Sequence, residues 1–335
     1  MADTMRAVIY PRYGSPKVLQ LRDMEMPSVE NNQLLVRVRA AAANPVDYRR
    51  LTGTPILLIR RREGRPGWRG PKNERLGADY AGVVETVGRD VTGFRPGDEV
   101  FGVALGAFAE YVVAREEGSV TRKPAGVSFE HAAAVPVAAV TALQGLRDHG
   151  LLQPGQRVLI NGASGGVGTY AVQIAKALGA EVTGVCSTRN LEMVRSIGAD
   201  HVIDYTRGDF TLIGQRYDLL LDNVGTRSWA QYRRILQPEA RLVMAGGPHT
   251  NVLVGPLLGP RPYQWRLRLA ARSDTRTIAR FHASIIKADM EFLAGLMETG
   301  KLRSVIERTY RLDETADALR HLGRGHVAGK LIILP

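Results

Sequence analysis

The sequence predicts an α/β protein in which a parallel-sheet domain, covered by helices on both faces, is inserted into a β-rich domain. Three observations predict it. Residues 1–126 consist of short β-branched or alternating runs cut by Gly, Pro and Asn. From Ser128 the period changes, first to alanine-rich helical segments and then to continuous apolar strands alternating with amphipathic helices. After Gly247 the pattern loosens, and the chain ends in an apolar run, "GKLIILP", that suits a return to the first domain. The expected division is 1–126 and 279–335 for the β-rich domain and 127–278 for the inserted one, with a ligand cleft at their junction.

The elements follow in order. "MRAVIY", "QLLVRVRAAA", "YAGVVETVG", "DEVFGV" and "AEYVVA" read as strands of the first domain. In the second, "QRVLIN" is a buried strand and "TYAVQIAKALG" a helix ending at Gly179, with Val167, Ala171, Ile174, Ala175 and Leu178 on one face. "EVTGVC", "HVIDY", "YDLLLDNVG" and "ARLVMAGG" are further strands. "LEMVRSIG" and "RSWAQYRRILQP" are helices, the latter stopped by Pro238. Residues 247–263 read as a Gly/Pro-rich loop, with a helical region after it.

Composition narrows the function classes. The single cysteine, Cys186, makes neither an internal disulfide nor a four-cysteine zinc site. The seven histidines are scattered, with no His-Glu-x-x-His pattern, so no metal is expected. "HAAAVPVAAVTALQGL" is alanine-rich and broken by Pro136, too weak to span a bilayer, and the N-terminus has no apolar signal-peptide core. A soluble cytoplasmic protein without membrane insertion is expected. Net charge is +12, and of 45 cations seven are lysine, leaving 38 arginines. They concentrate in "RRREGRPGWRGPKNER" (60–75) and "RPYQWRLRLAARSDTRTIAR" (261–280). No nucleic-acid signature accompanies them, so these stretches are either solvated surface or a site for an anionic ligand or partner.

The informative motif is "LINGASGGVGTYAVQIAKALGA" (159–180), where a glycine-rich turn follows a buried strand and opens a helix. Free backbone N–H groups and the positive end of the helix dipole meet there, which suits a pyrophosphate. The turn comprises Gly162, Ala163, Ser164, Gly165, Gly166, Val167 and Gly168. Gly165 allows close approach of phosphate, Gly168 allows close packing of the helix, and Ala163 stands where the usual fingerprint has its first glycine. The next strand ends "GVCSTRN". In place of the carboxylate that holds an NAD ribose, it offers the hydroxyls of Ser187 and Thr188 and the cation of Arg189. That set favours a 2′-phosphate and therefore NADPH. Tyr205 either adds a hydrogen bond to that phosphate or packs.

The segments "AAANPVDYRR", "LGADYAGVVETVG", "RPGDEVFG", "GAFAEYVV", "AAAVPVAAVTALQGL", "VLINGASGGVG" and "HVAGKLIILP" stand in one order over almost the whole chain. In this the chain resembles the medium-chain dehydrogenase/reductase superfamily, and within it the zinc-lacking quinone oxidoreductase and enoyl reductase branch. The resemblance implies a doubly wound Rossmann domain inserted in a GroES-like catalytic domain. Zinc-containing relatives hold catalytic metal at three places occupied here by Asn44, Ala78 and Val137. It further implies that Thr141 faces the nicotinamide, that Asn223 and Gly246 lie at strand ends along the cofactor, and that Lys330 is a cation near the pyrophosphate or a surface residue. A homodimer pairing near "NVLVG" (251–255) is also implied.

The chemistry implied is hydride transfer from NADPH to a small-molecule quinone or the activated C=C of an α,β-unsaturated carbonyl, with a donor stabilising the developing enolate. "NPVDYRR" holds the candidates. The Asn44 amide reaches ribose or substrate, Asp47 orients the turn or a cofactor hydroxyl, and either Tyr48 or water supplies the proton. The 60–75 arginines either attract a phosphate-bearing substrate, which makes enoyl-thioester reduction the alternative, or face solvent, and Trp68 in the same loop either caps an aromatic substrate or anchors the loop. A weakly catalytic NADPH-binding protein is the remaining reading.

Overall fold

The computed structural model describes residues 4–55, 70–246 and 261–335. The chain divides into two compact units, Met1–Val140 with Ile285–Pro335, and Thr141–Ser284. The divisions fall somewhat further along the chain than the expected 126/127 and 278/279.

The first unit begins with β1 (Thr4–Ile9), β2 (Gln20–Glu25), β3 (Gln33–Ala43) and the helix α1 (Pro45–Thr52). It continues through β4 (Asp79–Val87), β5 (Glu99–Val103), β6 (Tyr111–Arg115), β7 (Val120–Arg122) and α2 (Phe129–Ala133). The helix α3 (Pro136–Gln144) crosses into the second unit. That unit runs β8 (Arg157–Asn161), α4 (Gly166–Ala177), β9 (Glu181–Cys186), α5 (Leu191–Ser196), β10 (His201–Asp204), β11 (Tyr217–Asp222), α6 (Trp229–Ile235), β12 (Leu236–Met244), α7 (Arg261–Ala270) and β13 (Thr277–Arg280). The chain then returns to the first unit with α8 (Lys287–Glu298), β14 (Ile306–Arg311), α9 (Thr315–Arg324) and β15 (Lys330–Leu334).

In the first unit the sheet order is β14-β15-β3-β4-β5-β7, with β6 also paired to β3. The C-terminal strand β15 lies antiparallel to β3, Ile332 opposite Ala42, so the end of the chain completes the sheet that its beginning starts. Val36, Tyr80, Phe108, Leu51 and Ile333 fill the core beside it, each fully buried or nearly so. In the second unit six strands run in the order β10-β9-β8-β11-β12-β13, every pair parallel. Numbered within the unit this is 3-2-1-4-5-6, whose order reverses between β8 and β11, the point where doubly wound sheets take ligands.

Two expectations are corrected here. Residues 168–175 of α4 are all buried, so Ala171, Ile174 and Ala175 lie within a fully buried stretch and not along a separate stripe. The helix expected to run to Pro238 ends at Ile235, and β12 begins at once with Pro238 inside it. Its pairing with β11 is irregular between Tyr217 and Leu219, which accommodates the missing N–H of proline.

Candidate functional site

The phosphate turn is built by the end of β8. Gly162 takes φ +78°, a conformation that favours glycine, and its N–H and that of Ala163 both donate to the Val185 carbonyl at 3.1 and 3.0 Å. This folds the turn back over β9 before α4 starts. No side chain caps α4, whose N-cap is Gly165. Its first N–H groups therefore lack the side-chain partner that most helices supply. The space around the turn fits a ligand. A Cβ on Gly165 would meet only the Gly162 carbonyl, at 3.5 Å, whereas one on Gly168 would fall 2.1 Å from that same oxygen. Gly165 thus leaves room, and Gly168 is required for packing. Ala163 is accommodated in the first fingerprint position because Gly184 of β9 faces it. A Cβ at Gly184 would sit 3.0 Å from that of Ala163.

The ends of the neighbouring strands supply the rest. Asn223 follows β11, donates from Nδ2 to the Asn161 carbonyl at 3.1 Å, and keeps a buried Oδ1 with no partner among the described residues. Gly246 follows β12, where a Cβ would lie 1.9 Å from the Asn223 carbonyl oxygen. Behind them Asp222 is fully buried and accepts from Asn161 Nδ2 at 2.8 Å, from the Val224 and Gly225 N–H groups at 3.0 Å, and from the Tyr232 hydroxyl. This carboxylate fixes the loop that presents Asn223. Thr141 stands half-buried on α3.

At the end of β9, Ser187 precedes a short 3-10 turn over 188–190, with Thr188 and Arg189 exposed and Tyr205 43% exposed. A carboxylate on the neighbouring strand clasps this loop without taking the ribose-binding place. Asp204, opposite Cys186 in the parallel register, accepts from the Thr188 hydroxyl at 2.5 Å and from the Thr206 N–H and hydroxyl at 2.9 and 2.7 Å. Those hydrogen bonds, Thr188 first, hold its carboxyl below the usual range.

The first unit holds a buried polar cluster. Asn44 caps α1, but its side chain turns away from the helix: Nδ2 donates to Asp79 Oδ2 at 2.8 Å and to the Ala42 carbonyl at 3.2 Å. Asp47 reaches back instead, accepting the Asn44 N–H at 2.8 Å. Lys330 donates to Asn44 Oδ1 at 2.6 Å and lies 3.6 Å from Asp79 Oδ2. Asn44, Asp47, Asp79 and Lys330 are all at most 3% exposed. Burial pushes Asp47 up to about 7 and Asp79 to about 6, and drives the Lys330 ammonium down against the opposing pull of the two carboxylates. Asn44 and the Val137 N–H both bond Asp79, and Ala78 precedes it.

The structure thus brings Asn44, Asp47 and Lys330 together inside the first unit, and gathers the glycine turn, Ser187–Arg189, Tyr205, Asn223 and Gly246 at the carboxyl ends of the strands in the second. Lys330 is not a surface residue: its ammonium is enclosed by Asn44 and Asp79. The Asn44 amide is fully engaged within the cluster. Tyr48 is half-buried with its ring against α9; a Cβ on Gly323 would come within 2.4 Å of its Cε2 and 2.8 Å of its hydroxyl. Asp79, Asp204 and Asp222 were not singled out in the sequence. Their signal is a lone aspartate bounding an apolar strand run, at its start for Asp79 and at its end for Asp204 and Asp222. The segment "NVLVG", Trp68 and arginines 60–69 lie outside the described residues. Among the described residues no three His, Cys, Asp or Glu side chains are grouped to hold a metal, and no helix is long and apolar enough to cross a membrane.

Comparison with known proteins places this geometry. Residues 30–125 match the alcohol dehydrogenase GroES-like domain and residues 197–333 the zinc-binding dehydrogenase model. The chain is 34% identical to the mouse mitochondrial NAD(P)H oxidoreductase RTN4IP1, over 98% of this chain and 89% of the relative. It is 32% identical to 2-methylene-furan-3-one reductase of Solanum lycopersicum, over 99% and 79%. The quinone oxidoreductase structure from Coxiella burnetii superposes with a TM-score of 0.83 at 30% identity, covering 99% of this chain and all of that one.

Proposed function

Because this chain belongs to the medium-chain dehydrogenase/reductase superfamily, in its zinc-lacking quinone oxidoreductase-like branch, we propose that it is an NADPH-dependent oxidoreductase acting on a quinone or on the activated C=C of an α,β-unsaturated carbonyl. The observation that carries the reading is the uncapped helix start at Gly165, with open space before it and the unpartnered Asn223 Oδ1 at the next strand end.

When bound, NADPH would supply hydride to the acceptor, and a proton would complete the reduction at the quinone oxygen or at the α-carbon of the enone. The chain's own groups bind and orient. The N–H groups opening α4 hold the pyrophosphate. Ser187, Arg189 and Tyr205 hold the 2′-phosphate together with the backbone N–H of Thr188, whose hydroxyl is given to Asp204. Asn223 Oδ1 accepts from a ligand hydroxyl or amide, and Thr141 and Gly246 border the nicotinamide end. Asn44, Asp47 and Lys330 act as positioning residues, fixing the start of α1 through Asp79. Tyr48 packs its hydroxyl against Gly323, which supports water as the proton source. A cytoplasmic homodimer is part of the same reading, checked by cell fractionation and light scattering.

The test is oxidation of NADPH and NADH, side by side, against a panel of quinones, enones and enoyl-CoA thioesters. Turnover of quinones or enones with NADPH preferred is expected. Faster turnover of thioesters would move the acceptor class, and a preference for NADH would refute the 2′-phosphate assignment. Binding without turnover of any acceptor would refute the enzymatic reading.

A further inference from the structure

The arginine-rich stretch 261–280 has no part in the reaction, and the structure gives it a shape. The inner face of α7 is anchored in the second unit: Leu267 is 3% exposed in the core, and the Tyr263 hydroxyl donates to the Arg227 carbonyl at 2.6 Å. Its outer face carries Trp265, 65% exposed, and Leu269, 41% exposed, one helical turn apart. Exposed Arg266, Arg268 and Arg272 flank this pair, without ion-pair partners among the described residues. Past Ala270 the surface opens into a groove between α6 and α7, lined by Arg216, Arg233 and Arg234. Of these three, Arg233 is paired, to Asp274 at 3.4 Å.

We propose that the outer face of α7 docks the protein on an anionic lipid surface, with Trp265 and Leu269 entering the headgroup layer and the surrounding arginines meeting lipid phosphates. A helix lying in the interface needs an apolar ridge bordered by cations, and tryptophan favours that depth. Cations close to an anionic leaflet each add attraction, which salt screens. Charge argues against a second copy on this face, since two-fold pairing would set arginines against arginines on a chain already at +12. The aliphatic Leu269 argues against nucleic acid, whose bases are gripped by stacking on aromatic faces. The inference does not depend on the acceptor that is reduced.

Co-sedimentation of the full chain with vesicles tests it, using phosphatidylcholine alone and phosphatidylcholine mixed with phosphatidylglycerol. Partition onto the anionic vesicles at least about tenfold above the neutral ones, falling as salt rises, is expected. The Trp265→Ser/Leu269→Ser and Arg266→Glu/Arg268→Glu variants should each lose most of that binding, with thermal midpoint and nucleotide affinity unchanged. Equal partition onto both vesicle types, or none onto either, overturns the proposal. So does unchanged binding in both variants. A variant that changes oligomeric state in light scattering without changing vesicle binding assigns the face to self-pairing, and retention on duplex DNA without vesicle binding assigns it to nucleic acid; either result overturns the lipid assignment.

Discussion

The Lys330 ammonium donates to the Asn44 side-chain oxygen at 2.6 Å, joining residues 286 positions apart. This contact ties β15 to the start of α1, and Asp79 lies behind both. Breaking a buried ion pair by removing one partner leaves an uncompensated charge and costs about 3–5 kcal/mol. Lys330→Met should therefore lower the thermal midpoint markedly, and Lys330→Met/Asp79→Asn should recover much of the loss. A midpoint unchanged in the single variant, followed by calorimetry, would show that the pair adds nothing.

Asp47 makes stability depend on pH. It is enclosed with Asp79 and Lys330, with Arg50 near enough to favour its charged form, and burial is the leading cause of its rise to about 7. The folded chain thus keeps a proton that the unfolded chain releases near its ordinary value of 3.8. Between those values the native state binds more protons, so this group makes stability fall as pH rises. Asp47→Asn keeps an acceptor for the Asn44 N–H and removes the titration. From about pH 5 to about pH 8 the wild-type midpoint should fall relative to that variant. Parallel profiles would contradict it.

Two glycines three residues apart should fail in different ways. Gly165→Ala places its Cβ in open space, so the variant should fold with an unchanged midpoint and lose NADPH affinity by about tenfold or more, a loss of roughly 1.4 kcal/mol. Gly168→Ala drives a Cβ to 2.1 Å from the Gly162 carbonyl, so it should lower the midpoint as well. Fluorescence titration and thermal melting separate the two. An unaltered affinity in Gly165→Ala would remove the pyrophosphate from this turn.

Local patterns made much of this legible. A strand, four glycines within seven residues and a helical run specify the turn over 162–168 without tertiary information. Period changes likewise separate the two kinds of domain. What local patterns do not contain is the partner of a polar residue. Lys330 precedes an apolar strand and resembles a surface lysine, until β15 pairs with β3 and encloses it. Ala163 looks like a defect in the fingerprint because the compensating Gly184 lies on another strand. The residues that follow the second strand do not reveal that Asp204 of β10 clasps their loop, because that partner lies on another strand. Four of the fifteen strands among the described residues, β2, β7, β13 and β14, carry no such pattern of their own.

Asp204 is the remaining case, and it can be tested directly. It clasps the loop after β9 to the loop after β10 by accepting from the Thr188 hydroxyl and from both polar groups of Thr206, while Arg207 lies 3.4 Å from Oδ2. Thr188, Arg189 and Tyr205, the groups proposed for the 2′-phosphate, are all carried by these two loops. Each hydrogen bond lost contributes about 0.5–1.5 kcal/mol, and more to a charged acceptor. Asp204→Ala should weaken NADPH binding by about tenfold and leave NADH within about twofold, because NADH has no 2′-phosphate to lose. Asp204→Asn, which still accepts a hydrogen bond, should restore most of the NADPH affinity. Equal weakening of both nucleotides in the alanine variant would make Asp204 a general structural support, and no change in either would remove it from the site.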